Sequence, residues 1–450
     1  MNVPLLRAFG FPLVAVVLVA GAMLAPSGGD GDADRVPSTV AVTQSSYACP
    51  AGPVITVAAG QVTAGSTATA SVLPARTADA GLGDARTWRT GVVDAPGIIV
   101  DQQGRGAGAV GFFAGTAPKS GGGGLVVGSC SGVVDDAWML GLGSGNKHFS
   151  TLILTNLAAS PAAVDLTLWG PEGEIDAVNA DGIVIEPFSV RRIRLDELAA
   201  GESELAIQVH RRRGSVSAVV NDTSTSTFKG TEPVSAALSP RREQVIGGLV
   251  GGTSGRTLLV LNPGSSTARV DVEVIGRDGT FAPSGLEQVK VEAGTVQAIP
   301  IPPTAGADEQ ALRLTSDQPV ASTVRMAPTT NDFAYAESTA PLTGPALVPI
   351  ALGANSQVPR LVLTAPEGAA SVEVQAFDAS MSPLASQTVS IAAGTTTAVL
   401  PEAVGAAYLV LRPKGDVIAA ATYAKDDGVS SLAVRDAPVT VLAPQVRPAG

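Results

Sequence analysis

The sequence predicts an all-β protein: tandem immunoglobulin-like β-sandwich domains behind one N-terminal hydrophobic helix and a linker. Three observations predict it. Apolar and polar side chains alternate with period two in short runs, the mark of strands with one buried face. Turn residues punctuate these runs at the spacing of roughly 8–12 residues expected of a sandwich. The whole pattern occurs three times along the chain.

The first copy is clearest at 149–175. Leu152 and Leu154 alternate with Thr151, Ile153 and Thr155, a turn follows at 156–161, and Val164, Leu166 and Leu168 then alternate with Asp165, Thr167 and Trp169. In the second copy Leu258 and Val260 lead through Asn262-Pro263-Gly264 to Val270, Val272 and Val274. In the third, Leu361 and Leu363 lead through Ala365-Pro366-Glu367-Gly368 to Val372, Val374 and Ala376. The copies stay in step downstream, through Ile183/Ile185, Val289/Val291 and Val389/Ile391, to last strands at Val216, Val320 and Val417. The expected domains are therefore 148–240, 241–345 and 346–450, preceded by a less repetitive β domain at 46–147.

With 450 residues one core is implausible and several are expected. Gly (51) and Pro (32) supply the turns, and with only 4% aromatics the cores must be built from Val, Leu, Ile and Ala. The net charge of −11 argues against a nucleic-acid partner, which needs basic patches to neutralise phosphate.

Residues 1–26 carry Arg7 and an uncharged run from 8 to 25. That run exceeds the roughly 7–15 residues of a signal-peptide core and falls just short of the roughly 20 of a membrane span. Two readings stand, a cleaved export signal or an uncleaved membrane anchor, and both place the rest of the chain outside the cytoplasm. Residues 27–45 are the linker, opening on a Gly/Asp-rich stretch that favours solvation. Cys49 and Cys130 are the only cysteines, and in an exported chain such a pair reads as a disulfide.

No pattern for catalysis, metal or cofactor emerges. The GxGxxG at 106–111 runs into Phe112-Phe113, which reads as a strand rather than the helix a dinucleotide needs. His148 and His210 lack both metal-ligand spacing and a GxSxG elbow, and read as satisfied strand or surface histidines. Asp135-Asp136 reads as a hairpin turn, because adjacent carboxylates on a strand face opposite ways. Three features are surface candidates. Trp169, by strand parity, faces outward and could stack on a sugar or meet another domain. Two basic groups, Arg191, Arg192 and Arg194, and Arg211, Arg212 and Arg213, could meet an anionic polymer or simply guard strand edges.

The opening Tyr47-Ala48-Cys49-Pro50, the Gly-rich approach to Cys130, and Asp136-Ala137-Trp138-Met139-Leu140-Gly141-Leu142-Gly143-Ser144 followed by the first repeat together carry a resemblance. The chain resembles the domain-of-unknown-function family fifty-seven nineteen of exported proteins from high-GC Gram-positive bacteria. The resemblance implies an N-terminal membrane segment and a loose association with cell-envelope glycosylation; it defines no catalytic residues. The expected function is a non-enzymatic, extracytoplasmic cell-envelope module, structural or adhesion-like, that binds protein or glycan. An accessory factor for envelope polysaccharide assembly is the alternative, and a secreted hydrolase is disfavoured for want of a paired catalytic constellation.

Overall fold

The computed structural model describes residues 39–50, 55–61, 67–74, 77–78, 89–92, 96–104, 108–117, 123–226, 228–252, 255–328, 331–350, 352, 357–426, 428–437 and 439–442. The expected leader helix and most of the linker lie outside these residues. Among the described residues no helix is long and apolar enough to cross a membrane.

The compact body, Ala41–Val441, is built almost wholly of antiparallel strands. Its motif is clearest in the second unit. One sheet, called the front sheet, has the order Asp136–Leu142, Leu205–Arg213, Ala162–Gly170, Gly173–Ile175, with Ile183–Ile185 also on Ala162–Gly170. The other, the back sheet, has the order Val190–Arg194, His148–Asn156, Val216–Thr225, Lys229–Val234. Met139, Leu154, Leu166, Ile207 and Val220 fill the space between the two sheets, as the period-two pattern requires. Asn156 fastens the turn between its two apolar strands: its side-chain amide donates to the carbonyls of Ser160, Ile185 and Glu186, and its oxygen accepts from Ala158 N. Asn262 makes the same turn in the next copy, donating to Ser266 and Val291.

This connectivity corrects one expectation. In an immunoglobulin domain the opening strand joins the sheet of the second strand. Here the opening strand Asp136–Leu142 pairs with Leu205–Arg213, and the second strand, His148–Asn156, pairs instead with Val216–Thr225. The two-sheet architecture holds and the strand order is different. The pairing of Asp136–Leu142 also starts the second unit near 136, a strand earlier than the expected boundary at 148.

The order recurs in three other units. The first has Gln44–Pro50, Gly97–Gln103, Thr67–Val72, Thr77–Ala78 facing Arg89–Val92, Ile55–Gln61, Ala109–Thr116, Leu125–Ser129. The segment that reads as least repetitive is thus a fourth copy. Its small residues hide the pattern, because Cys49–Cys130 occupies the core beside Val57 and Phe113. In the third unit a single strand, Gln310–Met326, serves both sheets. In the fourth, Ala346–Pro349, Tyr408–Lys414, Ala370–Phe377, Pro383–Ile391 face Thr395–Val399, Arg360–Ala365, Ile418–Lys425, Gly428–Ala433.

The outer face of each front sheet packs on the outer face of the next unit's back sheet. From the first unit to the second, Ala48, Leu73 and Ile99 meet Leu157, Phe188 and Val190. From the second to the third, Trp138, Leu140, Trp169 and Ala206 meet Leu259, Leu261, Val296 and Ala321. From the third to the fourth, Gly247 and Gly248 allow close approach of Ile418 and Ala420, and Thr396 donates to the carbonyls of Ile275 and Gly276. The fourth unit then packs on the first: Leu347, Tyr408 and Val410 share one apolar cluster with Ala58, Phe112 and Ala114. Repeated head-to-tail contacts that return to their start make a closed ring. Val42 N donates to Val439 O at 3.0 Å, bringing the entering and leaving segments together.

Candidate functional site at the ring axis

Ring closure brings one edge strand from each unit to the axis: Leu125–Ser129, Lys229–Val234, Ala334–Glu337 and Gly428–Ala433. Radial repetition of this kind protects strand edges that would otherwise be open. Three buried carboxylates bind the hub. Asp332 Oδ2 accepts from Leu125 N and Val429 N, both at 2.8 Å, so it joins the first, third and fourth units. Glu232 accepts from Ser430 Oγ at 2.6 Å, and that hydroxyl oxygen in turn accepts from Val127 N at 3.1 Å. Glu337 accepts from Ser235 N at 3.0 Å.

Burial works against the charged form of each. It pushes Asp332 up to about 6 in spite of the three backbone amides that favour its carboxylate. It pushes Glu337 up to about 7, against the nearby Arg435 charge. Glu232 rises well above the usual carboxylate range, through burial first and then the proximity of Asp332; its Oε2 has no hydrogen-bond partner.

Beside the hub lies a cleft of about 310 Å³, lined by residues of the first, second and fourth units. Its walls are mainly apolar, including Val110, Phe112, Val219, Leu347 and Leu432, and Val133 stands half-exposed among the lining residues. Polar groups are few. Tyr47, whose phenol is pushed up to about 12 by burial against the opposing effect of its bond to Ser45, lines the cleft with Ser129, Ser131, Ser235, Arg435 and Asp436. Arg435 Nη2 donates to Ala236 O at 2.5 Å. Size and lining suit the insertion of an apolar group with a few orienting polar contacts. Gly111 borders the cleft; a Cβ there would come 2.8 Å from Cys130 Sγ, so the position needs Gly to admit the disulfide.

His148 belongs to a different network, between the second and third units. Its Nε2 lies 2.9 Å from Asp222 Oδ2, and Asp222 also accepts from Ser150 Oγ at 2.5 Å and Tyr335 OH at 2.8 Å. Arg325 donates to both Glu204 oxygens, at 2.8 and 2.7 Å. Burial opposes the imidazolium, but the Asp222 charge and hydrogen bond outweigh it and hold the His148 pKa above its ordinary value. Ser, His and Asp are all present, yet the order is wrong for nucleophilic catalysis. The carboxylate stands between the hydroxyl and the imidazole, so Ser150 gives its proton to Asp222 rather than to a base that could release it. The network ties the units together.

The other sequence candidates are placed as follows. Cys49 and Cys130 form a disulfide, with Cα atoms 4.4 Å apart. Trp169 is only 4% exposed and stacks on Trp138 with ring centroids 5.5 Å apart. This corrects its reading as a surface binding residue: it does leave its own core, but the next unit covers it. His210 pairs with Asp136 at 2.9 Å on the exposed part of the same sheet face. The arginines do not converge. Arg191 and Arg192 lie on the back sheet and donate to the carbonyls of Val184 and Pro96. Arg211 and Arg212 lie on the front sheet, paired with Asp135 and Asp165, beside an exposed Arg213. The segment after Gly108 is the strand Ala109–Thr116, with no helix to receive a pyrophosphate. Glu232, Asp332 and Glu337 have no motif in the sequence. No repeat position flags them either: Glu232 lies opposite Asp222 and Glu337 opposite Thr323, three residues out of step between the two copies.

Fold and site together define a class: a disulfide-bonded ring of two-sheet β units with an apolar cleft at its axis. Residues 87–402 match a family of unknown function, DUF5719, and with well over half of its length in that match the chain belongs to the family. No curated protein matches the chain.

Proposed function

We propose that the chain is an extracytoplasmic, non-enzymatic scaffold of the cell envelope, either anchored by its N-terminal apolar segment or secreted, and that it binds a protein partner through the axial cleft. The disulfide supports an oxidising compartment, where such bonds persist. The observation that carries the binding reading is the cleft itself, an apolar opening framed by three units of a ring. Apolar walls favour a protruding apolar side chain of a protein over a glycan, which needs many polar contacts. The polysaccharide-assembly alternative draws less support, because Arg211 and Arg212 are neutralised by their own carboxylates. A photo-crosslinking amino acid in place of Val133, activated in intact cells of the source organism, tests the proposal. The expected result is one discrete adduct with an envelope protein. Adducts with glycan, or none, would overturn it, as would release of sugars or ester hydrolysis by the purified protein.

A further inference from the structure

The front sheet of every unit has an outer edge, and three of the four are blunted. Among the described residues the first unit has only Thr77–Ala78 there. The second splits its edge into Gly173–Ile175, with Glu174, and Ile183–Ile185. The third splits it into Thr280–Phe281 and Val289–Val291, with Lys290. Short, interrupted, charged edges discourage pairing with another chain. The fourth unit is different: Pro383–Ile391 is one continuous strand of nine residues, without a charge and with its one proline at the first position. It pairs on one side with Ala370–Phe377, and no other strand is paired with it among the described residues.

We infer that Pro383–Ile391 is a self-association edge, through which two copies of this chain pair antiparallel about a two-fold axis at Gln387. Three observations select a second copy over another occupant. First, the strand suits itself. About that axis Ser386 meets Thr388 on the outward face, while Ala385 meets Val389 and Gln387 meets Gln387 on the core-facing side. Second, Gln387 Nε2 is buried without a hydrogen-bond partner. The second copy's Gln387 lies one strand spacing away, about 5 Å, and once the side chain turns toward the edge, that amide oxygen supplies the missing acceptor. Third, each copy carries a net charge of −11, so two copies approach most easily where neither presents a charge. Leu384, 47% exposed, and the fully exposed Val404 flank the strand and add apolar surface.

The test uses the full-length chain. Its native cysteines are both consumed in one disulfide, so an added cysteine is a unique probe. Under mild oxidation Gln387→Cys is expected to give a covalent dimer, while Val178→Cys, more exposed but on the second unit, gives none. In sedimentation the wild type is expected to be dimeric at micromolar concentration. Thr388→Lys, which sets a cation on each side of the axis, should weaken the dimer by about tenfold or more while the melting temperature of the dilute, dissociated chain stays that of the wild type. A wild type that stays monomeric would overturn the inference. So would equal cross-linking at Val178→Cys, or a dimer that Thr388→Lys leaves intact. Should Thr388→Lys not fold, the cysteine pair decides alone.

Discussion

Raising the pH should weaken the ring, and Glu337 shows by how much. A carboxyl whose folded pKa lies above its unfolded value holds its proton in the native state while the unfolded chain has already released it. Folding then binds protons, so stability is greatest at low pH and falls as pH rises. For Glu337 the loss starts near the ordinary value of 4.5 and ends once pH passes the folded value of about 7. That interval of about 2.5 pH units, at about 1.4 kcal/mol each, amounts to about 3 kcal/mol. Asp332, moved from 3.8 to about 6, adds a loss of similar size between those limits. Denaturant unfolding from pH 4.5 to 8 measures the slope. Glu337→Gln is the matched perturbation: the amide keeps an acceptor for Ser235 N and removes the titration. The variant should lose about 3 kcal/mol of the pH dependence and gain on the wild type above pH 7. His148 contributes in the same sense, its raised pKa giving stability that is lost as pH rises through the folded value, so His148→Gln is measured alongside. Wild-type stability that is flat or rises over this range, or a Glu337→Gln variant with an unchanged slope, would refute the reasoning.

Three further outcomes are expected. Trp169→Ala empties the contact between the second and third units and should cost about 3–5 kcal/mol, read as a lower denaturant midpoint; a surface tryptophan would cost almost nothing. Reducing Cys49–Cys130, which closes a loop across a sequence separation of 81, should destabilise by about 4 kcal/mol on the chain-entropy account, seen by comparing unfolding with and without reductant. Asp222→Ala strips the shared acceptor from His148, Ser150 and Tyr335 and should cost about 3–5 kcal/mol, whereas Asp222→Asn, which retains one acceptor oxygen, should cost less; calorimetric melting separates them.

What could be read from the sequence was local, and what could not was contact between units. Alternation in 152–155 and 164–168 located strands and their core faces, because one buried face per sheet leaves a period of two. The same parity assigned Trp169 to the outward side, which is correct within its own unit. Parity is blind to the neighbour that covers that side, and Trp138 and Leu140 raise the same difficulty. The first unit escaped the repeat pattern because Cys49, Cys130 and the Gly111 that admits them share its core with Val57, Ile98, Val100 and Phe113 and break the run of Leu and Val seen in the other copies. Glu337 lies on Ala334–Glu337, a strand buried on both faces, where alternation vanishes, and Asp332 lies outside any strand. The cleft joins residues as distant as Tyr47 and Arg435, a juxtaposition that follows from ring closure and not from any local spacing.

Closure of the ring is tested most directly where the first and fourth units touch at the axis. Val127 and Ser430 are 303 positions apart in the sequence, yet the Val127 amide lies 3.1 Å from the Ser430 hydroxyl. Peptide mapping of the Val127→Cys, Ser430→Cys double variant after oxidation should recover one disulfide-linked peptide that joins the two positions within a single chain. Two thiols that remain free and reactive in the folded protein would contradict the closed ring.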